Sequence, residues 1–550
     1  EQPDSSGSLA ALAGHTFCVK RLLLPAGSCR QSQGSYAEIL MLITDWLRSA
    51  ADHHPQRIAL QDVPTGARFS YAELDLRVGR IAWSLQGSYH LPKGVRIAIL
   101  SQNRFAHIEL IFAAARAGLV VVPLNWRLAA SELSAIVQDF QPSLLIYEPE
   151  FAAIATQALE GSACVRLPLD DPQGYEALQS KAAGTIGTMA PRSDEDLWML
   201  LYTSGTTGRP KGVMQTFGMV YVNAVNTLIS GKVAPGDVFL NVLPFFHTGG
   251  LNLYTLPILM SGGTVIIERR FDPEATLMYL SNDVDSMFAV PAIYLALANH
   301  PAFPSTRFRR LRNLSVGGAP IPPVIGEAFA KKGIVVAPSY GMTEAGPTIF
   351  ASDVQTAARK PLSVGKPVGA SLVRLIDDAR NEIQHSGRGE LQIAGPVVTP
   401  GYWDRPEATQ EAIRDGWLST GDVAVRDADG DIFIVDRLKD MFISGGENVY
   451  PAEVENFLHD LPDVAEAAVI GVPDARWGEV GLAVVVPRPG SKVEPDRLRA
   501  ACKVQLAGYK VPQHVRIVDA LPRTPSGKVE KHKLRDLFAA MKEPCIDHDR

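Results

Sequence analysis

A chain of 550 residues with 46% hydrophobic and 20% charged residues has the composition of a folded globular protein and is too long for one ordinary core. Its formal net charge of −6 excludes the broad basic field expected of a nucleic-acid-binding protein, so anionic ligands must be held by local groups. The five cysteines show no C-x-x-C spacing, which favours free thiols in a reducing compartment over a disulfide framework or a zinc site.

The first 40 residues differ in composition from the rest of the chain. Residues 6–37 are rich in Ser, Gly, Ala and Leu and contain no Asp or Glu. This is compatible with a transit peptide, but the segment has no sustained amphipathic period, so we expect residues 1–40 to be a non-native or flexible extension. We therefore expect a cytoplasmic protein, or an organelle-matrix protein if the segment is a transit peptide. No apolar run reaches the roughly 18 residues of a membrane span.

Regular patterns begin at residue 41. Residues 41–56 predict an opening helix, because their apolar positions recur at helical spacing. Two β-rich runs, 95–100 and 119–124, flank a helical segment at 108–118, and this strand–helix–strand spacing predicts a parallel sheet. Similar apolar runs recur at 143–147, 263–267 and 333–337. We expect a large layered α/β domain with mainly parallel sheets over residues 41–436.

The composition changes around residues 436–451. The following stretch of about one hundred residues is within the size range of a separate domain. We expect a hinge at 437–440, a small mobile α+β domain at 441–540 and a tail at 541–550.

A loop rich in glycine and hydroxyl groups follows an apolar run at residues 200–202. Glycines allow close backbone approach, hydroxyls donate to phosphate oxygens and a lysine adds positive charge, so the loop suits phosphate binding. A Walker loop is disfavoured, because Pro210 precedes Lys211 and the hydroxyls come before it. The candidate phosphate-binding residues are Thr203, Ser204, Gly205, Thr206, Thr207, Gly208 and Lys211.

The run YTSGTTGRPKG (202–212) resembles the phosphate-loop signature of the adenylate-forming superfamily of acyl-CoA synthetases, adenylation domains and firefly luciferase. The style is closest to bacterial feruloyl-CoA and fatty acyl-CoA synthetases. The resemblance implies ATP-dependent activation of a carboxylic acid to an acyl-AMP with release of pyrophosphate, followed by transfer to coenzyme A. Further blocks follow in the family's order: PFFHTGG (244–250), SYGMTEAG (339–346), WLSTGD (417–422), VDRLKDMFISGGENVYPAEVE (435–455) and PRTPSGKVEK (522–531).

The block at 339–346 resembles the family's adenine and metal segment. The resemblance implies that Tyr340 lies against adenine, that Thr343 donates to the α-phosphate and that Glu344 helps to place Mg²⁺. A hard cation held by one carboxylate and substrate phosphates is normal for Mg²⁺. Without the family context, a Thr-Glu pair would more often be a helix cap. Gly318 is a further expected contact of the nucleotide.

The later blocks imply a ribose site and a catalytic lysine. Asp422 resembles the acid that accepts hydrogen bonds from both ribose hydroxyls, with Arg437 beside it. Lys528 resembles the mobile lysine that stabilises developing charge when the carboxylate attacks the α-phosphate. A turn residue and a solvated surface lysine are the plainer alternatives for Asp422 and Lys528.

The family's hinge falls on Lys439, about which the small domain rotates between the two half-reactions. The resemblance implies that Gly445 and Gly446 then allow close approach of the pantetheine arm and that Asn448 contacts AMP. One departure is Phe442, because many relatives have Ile there, and its effect on the hinge is left open.

His247 falls where the family has a gate between the acyl pocket and the pantetheine channel. We expect a steric or hydrogen-bonding role rather than a base. Amino-acid adenylation domains usually have Asp at this place, so we do not expect an amino-acid substrate, because its buried ammonium would lack a counter-charge.

The expected ligands are therefore ATP, Mg²⁺, coenzyme A and a small-molecule carboxylic acid, without nucleic acid, in a monomer or homodimer. Aromatic, medium-chain and long-chain acids all stay open. An enzyme that loads a carrier protein is an alternative, although too few residues follow Lys528 for a fused carrier or reductase domain. A non-catalytic nucleotide-binding protein of the same fold is the second alternative.

Overall fold

The computed structural model describes residues 42–203, 210–319, 321–377, 379–437, 440–444, 447–474, 476–506, 508–524 and 527–539. For residues 436, 437, 447, 448 and 539 it describes the backbone alone. The predicted extension at 1–40 and the tail at 541–550 lie outside the described residues, as do the loop residues 204–209 and the hinge residue Lys439.

The strands form two large sheets, two smaller ones and a short two-stranded pairing. In chain order the strands are β1 (Leu42–Ile43), β2 (Ile58–Asp62), β3 (Arg68–Ser70), β4 (Arg96–Leu100), β5 (Val120–Leu124), β6 (Leu144–Tyr147), β7 (Val165–Pro168), β8 (Arg192–Ser193), β9 (Leu197–Thr203), β10 (Lys211–Thr216), β11 (Val238–Asn241), β12 (Thr264–Ile267), β13 (Ser286–Ala289), β14 (Asn313–Val316), β15 (Val336–Tyr340), β16 (Phe350–Ala351), β17 (Lys366–Pro367), β18 (Leu372–Ile376), β19 (Gly387–Ala394), β20 (Ile413–Arg414), β21 (Trp417–Arg426), β22 (Ile432–Arg437), β23 (Phe442–Ser444), β24 (Glu447–Val449), β25 (Val464–Asp474), β26 (Gly478–Pro487) and β27 (His514–Ile517).

The helices cover the faces of these sheets. In chain order they are α1 (Trp46–His53), α2 (Tyr71–Gly87), α3 (Phe105–Ala117), α4 (Ala130–Phe140), α5 (Ala152–Ala158), α6 (Ala177–Ser180), α7 (Phe217–Ile229), α8 (Thr248–Leu251), α9 (Thr255–Met260), α10 (Pro273–Asn282), α11 (Pro291–Ala298), α12 (Pro323–Ala330), α13 (Val354–Arg359), α14 (Pro406–Ala412), α15 (Pro451–His459), α16 (Pro495–Gln505) and α17 (Lys531–Ala539). Among the described residues we find no helix with the length and apolar character that a bilayer crossing requires.

The two large sheets are mainly parallel, which confirms the predicted fold class. The first has the order β10-β9-β5-β4-β6-β7, and the hairpin β9–β10 is its antiparallel edge. The second has the order β17-β16-β15-β14-β13-β11-β12-β2-β3 and is parallel from β15 to β2. Parallel strands need helical crossovers, so both faces are covered and the strands read as apolar runs.

The predicted strand–helix–strand unit is β4–α3–β5, and β4 and β5 pair in parallel. All five residues of β5 are buried, as expected of a strand covered on both faces. Gly118 ends α3 with φ of 74°, a left-handed conformation that glycine adopts at little cost.

The opening helix is shorter than predicted. It begins at Trp46, because the side chain of Asp45 accepts a hydrogen bond from the backbone N–H of Arg48 and caps the helix. The preceding residues, Leu42 and Ile43, pair with β8 instead. The predicted run at 333–337 is also shifted, since β15 spans Val336–Tyr340 and delivers Tyr340 at its carboxyl end.

The C-terminal sheet has the order β24-β23-β26-β25, with β27 parallel to β26, and is covered by α15, α16 and α17. Phe442 is 3% exposed and belongs to the core of this sheet. Its ring is accommodated by two glycines: a Cβ on Gly471 would lie 2.4 Å from Phe442 Cβ, and one on Gly481 would lie 3.3 Å from Phe442 Cζ. The departure at Phe442 is therefore matched by small neighbours.

Candidate active site

The predicted phosphate loop spans the end of a β-hairpin. Thr203 ends β9, Lys211 begins β10, and the two residues are register partners. The antiparallel pairing therefore fixes both ends of the loop, while Ser204, Gly205, Thr206, Thr207 and Gly208 lie outside the described residues.

The predicted adenine and ribose residues come together. Tyr340, at the carboxyl end of β15, donates its hydroxyl hydrogen to Asp422 Oδ2 at 2.5 Å. Asp422 is 5% exposed and lies on β21, where its register partner on β22 is Arg437. The backbone thus places Arg437 beside Asp422, as the resemblance implies, and the carboxylate is held at the edge of a ring that could pack on a nucleobase.

A tight turn follows Tyr340. Gly341 has no room for a side chain, because a Cβ there would lie 2.1 Å from the carbonyl oxygen of Pro347. The chain folds back through a single 3₁₀ turn at Thr343–Ala345, and Gln215 Nε2 donates to the Thr343 carbonyl at 3.0 Å. This turn presents Thr343 and Glu344 next to the end of β15.

Glu344 is the candidate Mg²⁺ ligand, and its surroundings fit that role. Glu344 is 9% exposed, and Tyr402 donates its phenol hydrogen to Glu344 Oε1 at 3.1 Å. The Lys211 ammonium lies 5.0 Å from the centre of the Tyr402 ring. Carboxylate oxygens are ligands that Mg²⁺ prefers, and Lys211 is nearby to meet phosphate oxygens.

A second group of carboxylates, Asp427, Asp429 and Asp431, lies in the turn between β21 and β22. The Lys360 ammonium contacts all three, at 2.5, 2.7 and 2.7 Å respectively. These hydrogen bonds raise the pKa of Lys360 above its ordinary value. The cluster therefore already holds a cationic side chain.

Lys528 lies against the large parallel sheet. A Cβ on Gly318 would be 3.9 Å from Lys528 Cε and 3.5 Å from Val290 Cγ1. The lysine follows a turn in which the Thr524 N–H donates to the Lys528 carbonyl at 2.7 Å and the Gly527 N–H donates to the Thr524 carbonyl at 2.8 Å. The structure thus brings together Lys528 and Gly318, two residues that are far apart in sequence.

His247 precedes helix α8, and its Nε2 is buried without a hydrogen-bond partner among the described residues. Burial and the positive charges of Lys528 and Arg127 lower the pKa of His247 to about 4. The imidazole is therefore neutral near pH 7 and only weakly basic.

The structure describes the remaining predicted site residues only in part. Lys439, Gly445 and Gly446 lie outside the described residues. Asn448 lies on β24, where its register partner is Ile443, and its side chain is not described.

Several residues around the site had no signal in the sequence. Besides Tyr402, a set of buried amides supports the turn: Asn252 Nδ2 donates to Gln215 Oε1 at 3.0 Å, and Asn223 Nδ2 donates to the Asn252 carbonyl at 2.7 Å. The Asn223 Oδ1 in turn accepts from the Thr348 N–H at 3.0 Å. Isolated amides in apolar segments give no pattern, so only a structure or an alignment could reveal them.

Comparison with known proteins gives matches over most of the chain. Residues 47–403 match the family model described as AMP-binding enzyme, and residues 453–528 match that of the AMP-binding enzyme C-terminal domain. A feruloyl-CoA synthase of Amycolatopsis sp. is 44% identical over 474 residues, which are 86% of this chain and 94% of the relative.

Two solved structures are similar in fold. ATP-bound MatB from Rhodopseudomonas palustris has a TM-score of 0.84 and 31% identity, with 91% of this chain and 99% of that chain covered. The o-succinylbenzoate CoA synthetase MenE from Bacillus subtilis, in complex with its acyl-adenylate intermediate, has a TM-score of 0.81 and 32% identity, with 90% and 99% covered.

Proposed function

Because this chain belongs to the family of AMP-binding enzymes, we propose that it is a CoA ligase of aromatic carboxylic acids, for which ferulic acid is the model substrate. The general reaction is that of an AMP-forming acid–CoA ligase, with ATP, Mg²⁺ and CoA. The carboxylate attacks the α-phosphorus of ATP and pyrophosphate leaves; the CoA sulfur then attacks the acyl carbon and AMP leaves.

The observation that supports an aromatic acid is the aromatic ring of Phe288, which lies against the glycine two residues after His247. The ring of Phe288 lies between two glycines: a Cβ on Gly249 would be 3.8 Å from its Cε1, and one on Gly317 would be 3.3 Å from its Cζ. Leu243 adds an apolar contact, 3.5 Å from the Cβ position of Gly249. An aromatic acid could pair with the Phe288 ring, and such ring pairs contribute about 0.5–1.5 kcal/mol beyond area burial.

The local charge favours a carboxylate without an ammonium group. Both charged groups that lower the pKa of His247, Lys528 and Arg127, are positive. A positive field attracts the carboxylate of the substrate and repels an α-ammonium group, and no acidic side chain among the described residues is found to act on His247. Free amino acids should therefore be excluded.

For the adenylation step we propose the following roles. Tyr340 and Asp422 hold the adenosine, Thr343 and Lys211 contact the phosphates, and Lys528 stabilises the charge that develops during attack on the α-phosphate. Glu344 would hold Mg²⁺, which when bound neutralises charge on the phosphate oxygens.

For the second step we propose that the C-terminal domain, residues 441–540, rotates about the hinge at 437–440. Support comes from the position of Lys528 beside Gly318, which suits adenylation. CoA must still enter the site for the second step. The domain is also held by Arg388, whose guanidinium carbon lies 3.4 Å from the centre of the Tyr450 ring. A small interface of this kind can be broken and remade during turnover.

A panel of acids tests the proposed substrate class. Pyrophosphate release is measured with ferulic acid, a long-chain fatty acid and phenylalanine. We expect the highest kcat/KM for ferulic acid and no release with phenylalanine. A higher kcat/KM for the fatty acid would contradict the aromatic proposal while leaving the ligase reaction intact.

The pocket itself is tested by Gly249→Leu, which places a side chain where we propose the aromatic ring to bind. We expect kcat/KM for ferulic acid to fall by about tenfold or more, because a pocket contact of this size corresponds to about 1–3 kcal/mol. Gly187→Leu is the matched control, because Gly187 is exposed and a Cβ there meets nothing within 4 Å. An equal loss in both variants would show that the effect is not local.

A further inference from the structure

We propose that Tyr402 is a positioning residue for adenylation: its hydroxyl orients the Glu344 carboxylate toward Mg²⁺, and its ring supports the Lys211 ammonium beside the phosphates. The proposal rests on the function proposed above. Tyr402 was not among the residues predicted from the sequence, and it joins two that were.

The backbone around Tyr402 connects the turn of Glu344 to strand β10. On one side, the Thr399 N–H donates to the carbonyl of Glu344 at 2.8 Å. On the other, the Met214 N–H donates to the Gly401 carbonyl at 3.1 Å, and Tyr402 forms an isolated antiparallel bridge with Val213. The segment 399–403 therefore fixes the distance between the candidate metal ligand and the strand that begins with Lys211.

The hydroxyl of Tyr402 is a suitable partner for a metal-binding carboxylate. It donates to Glu344 Oε1 at 3.1 Å. An ordinary phenol is uncharged near pH 7, so this hydroxyl is a neutral donor. A neutral donor orients the carboxylate without cancelling its charge, whereas an arginine or lysine in the same place would compete with the cation.

The ring of Tyr402 acts on Lys211. The ammonium lies 5.0 Å from the ring centre, within the range of a cation–π contact. This contact holds the lysine close to the carboxylate that the hydroxyl of the same tyrosine contacts. One side chain thus places the negative and the positive group of the phosphate site.

The experiment compares Tyr402→Phe with the wild-type enzyme in three measurements. Mn²⁺ binding to the ATP complex, followed by electron paramagnetic resonance, should weaken by about tenfold, the size expected for the loss of one hydrogen bond to a charged group. The Mg²⁺ concentration for half-maximal pyrophosphate release should rise by a similar factor. CoA consumption from synthetic acyl-AMP should not change, because this step needs no phosphate site for Mg²⁺-ATP.

Two further variants separate positioning from general structure. Tyr402→Leu also removes the ring and should raise KM for ATP beyond the value of Tyr402→Phe. Tyr175→Phe is the matched control: it removes a buried phenol that donates to the Glu109 carboxylate at 2.8 Å, and it should leave Mn²⁺ binding unchanged.

Unchanged Mn²⁺ binding in Tyr402→Phe would overturn the proposal, as would an equal loss in both half-reactions. The same Mn²⁺ measurement distinguishes this proposal from the proposed function. If the wild-type enzyme released no pyrophosphate with any acid of the panel, the function would fail, whereas the effect of Tyr402 on metal binding would still be measured.

Discussion

Replacing Lys528 with alanine is expected to slow adenylation by about 10²–10³, the usual cost of removing one preorganised charge donor. The lysine lies beside Gly318, and its charge reaches His247. It can therefore act on a carboxylate held next to that histidine. Thioester formation from supplied acyl-AMP should change little, because we propose that the C-terminal domain has rotated Lys528 away by then.

The measurement uses two assays on one purified variant: acid-dependent pyrophosphate release, and CoA consumption from synthetic acyl-AMP. Lys533→Ala is the matched control, because Lys533 is 57% exposed and pairs only locally with Glu530 at 2.7 Å. It should match the wild-type enzyme in both assays. Parallel loss of both half-reactions in Lys528→Ala would show a structural role and contradict the catalytic one.

Arg116→Met is expected to lower the free energy of unfolding by about 3–5 kcal/mol, because it leaves the buried Asp45 carboxylate without its counter-charge and Asp75 with Arg48 alone. The Arg116 side chain is 1% exposed and is paired with Asp45, at 2.8 Å, and with Asp75. Its Nη1 also donates to the carbonyls of Asp75 at 3.0 Å and Ile186 at 3.2 Å. The Arg116 guanidinium thus links Asp45, which caps α1, with Asp75 in α2 and with Ile186 in the segment before β8.

Urea denaturation of Arg116→Met and of Arg48→Met measures the effect. Arg48 pairs with Asp52 at 2.9 Å and with Asp75 at 3.1 Å, but its side chain is 44% exposed, so its removal should cost about 0–1 kcal/mol. Adding Asp45→Asn to Arg116→Met should restore part of the stability, since the unpaired buried charge of Asp45 is then removed. Equal effects of the two arginine variants would contradict the special role of burial.

Local patterns predicted the parts of the fold that depend on neighbouring residues. The unit β4–α3–β5 follows from two apolar runs around a helical segment, and the structure has it with parallel pairing. The opening helix was predicted too long, because Asp45 caps its N-terminus and the helix begins only at Trp46, whereas the hydrophobic period extends further toward the N-terminus. The phosphate loop was recognised because its residues are contiguous.

Contacts between distant segments could not be predicted in this way. Tyr402 meets Glu344 across 58 positions, and Gln215 meets Thr343 across 128. In the sequence, Arg116 is not distinguished from other charged residues of a helix, because its partner Asp45 lies 71 positions away. Such pairs depend on which strand ends and helix faces meet, and this is decided by the topology of the sheets.

The central claim, that the acid is activated as an acyl-AMP, is tested most directly with ferulic acid labelled with ¹⁸O in both carboxylate oxygens. One turnover with ATP, Mg²⁺ and CoA is analysed by mass spectrometry of the products. If the carboxylate attacks the α-phosphorus and CoA then breaks the acyl–oxygen bond, one ¹⁸O appears in AMP and none in pyrophosphate. Label in inorganic phosphate, together with ADP, would show an acyl phosphate instead and would contradict the account.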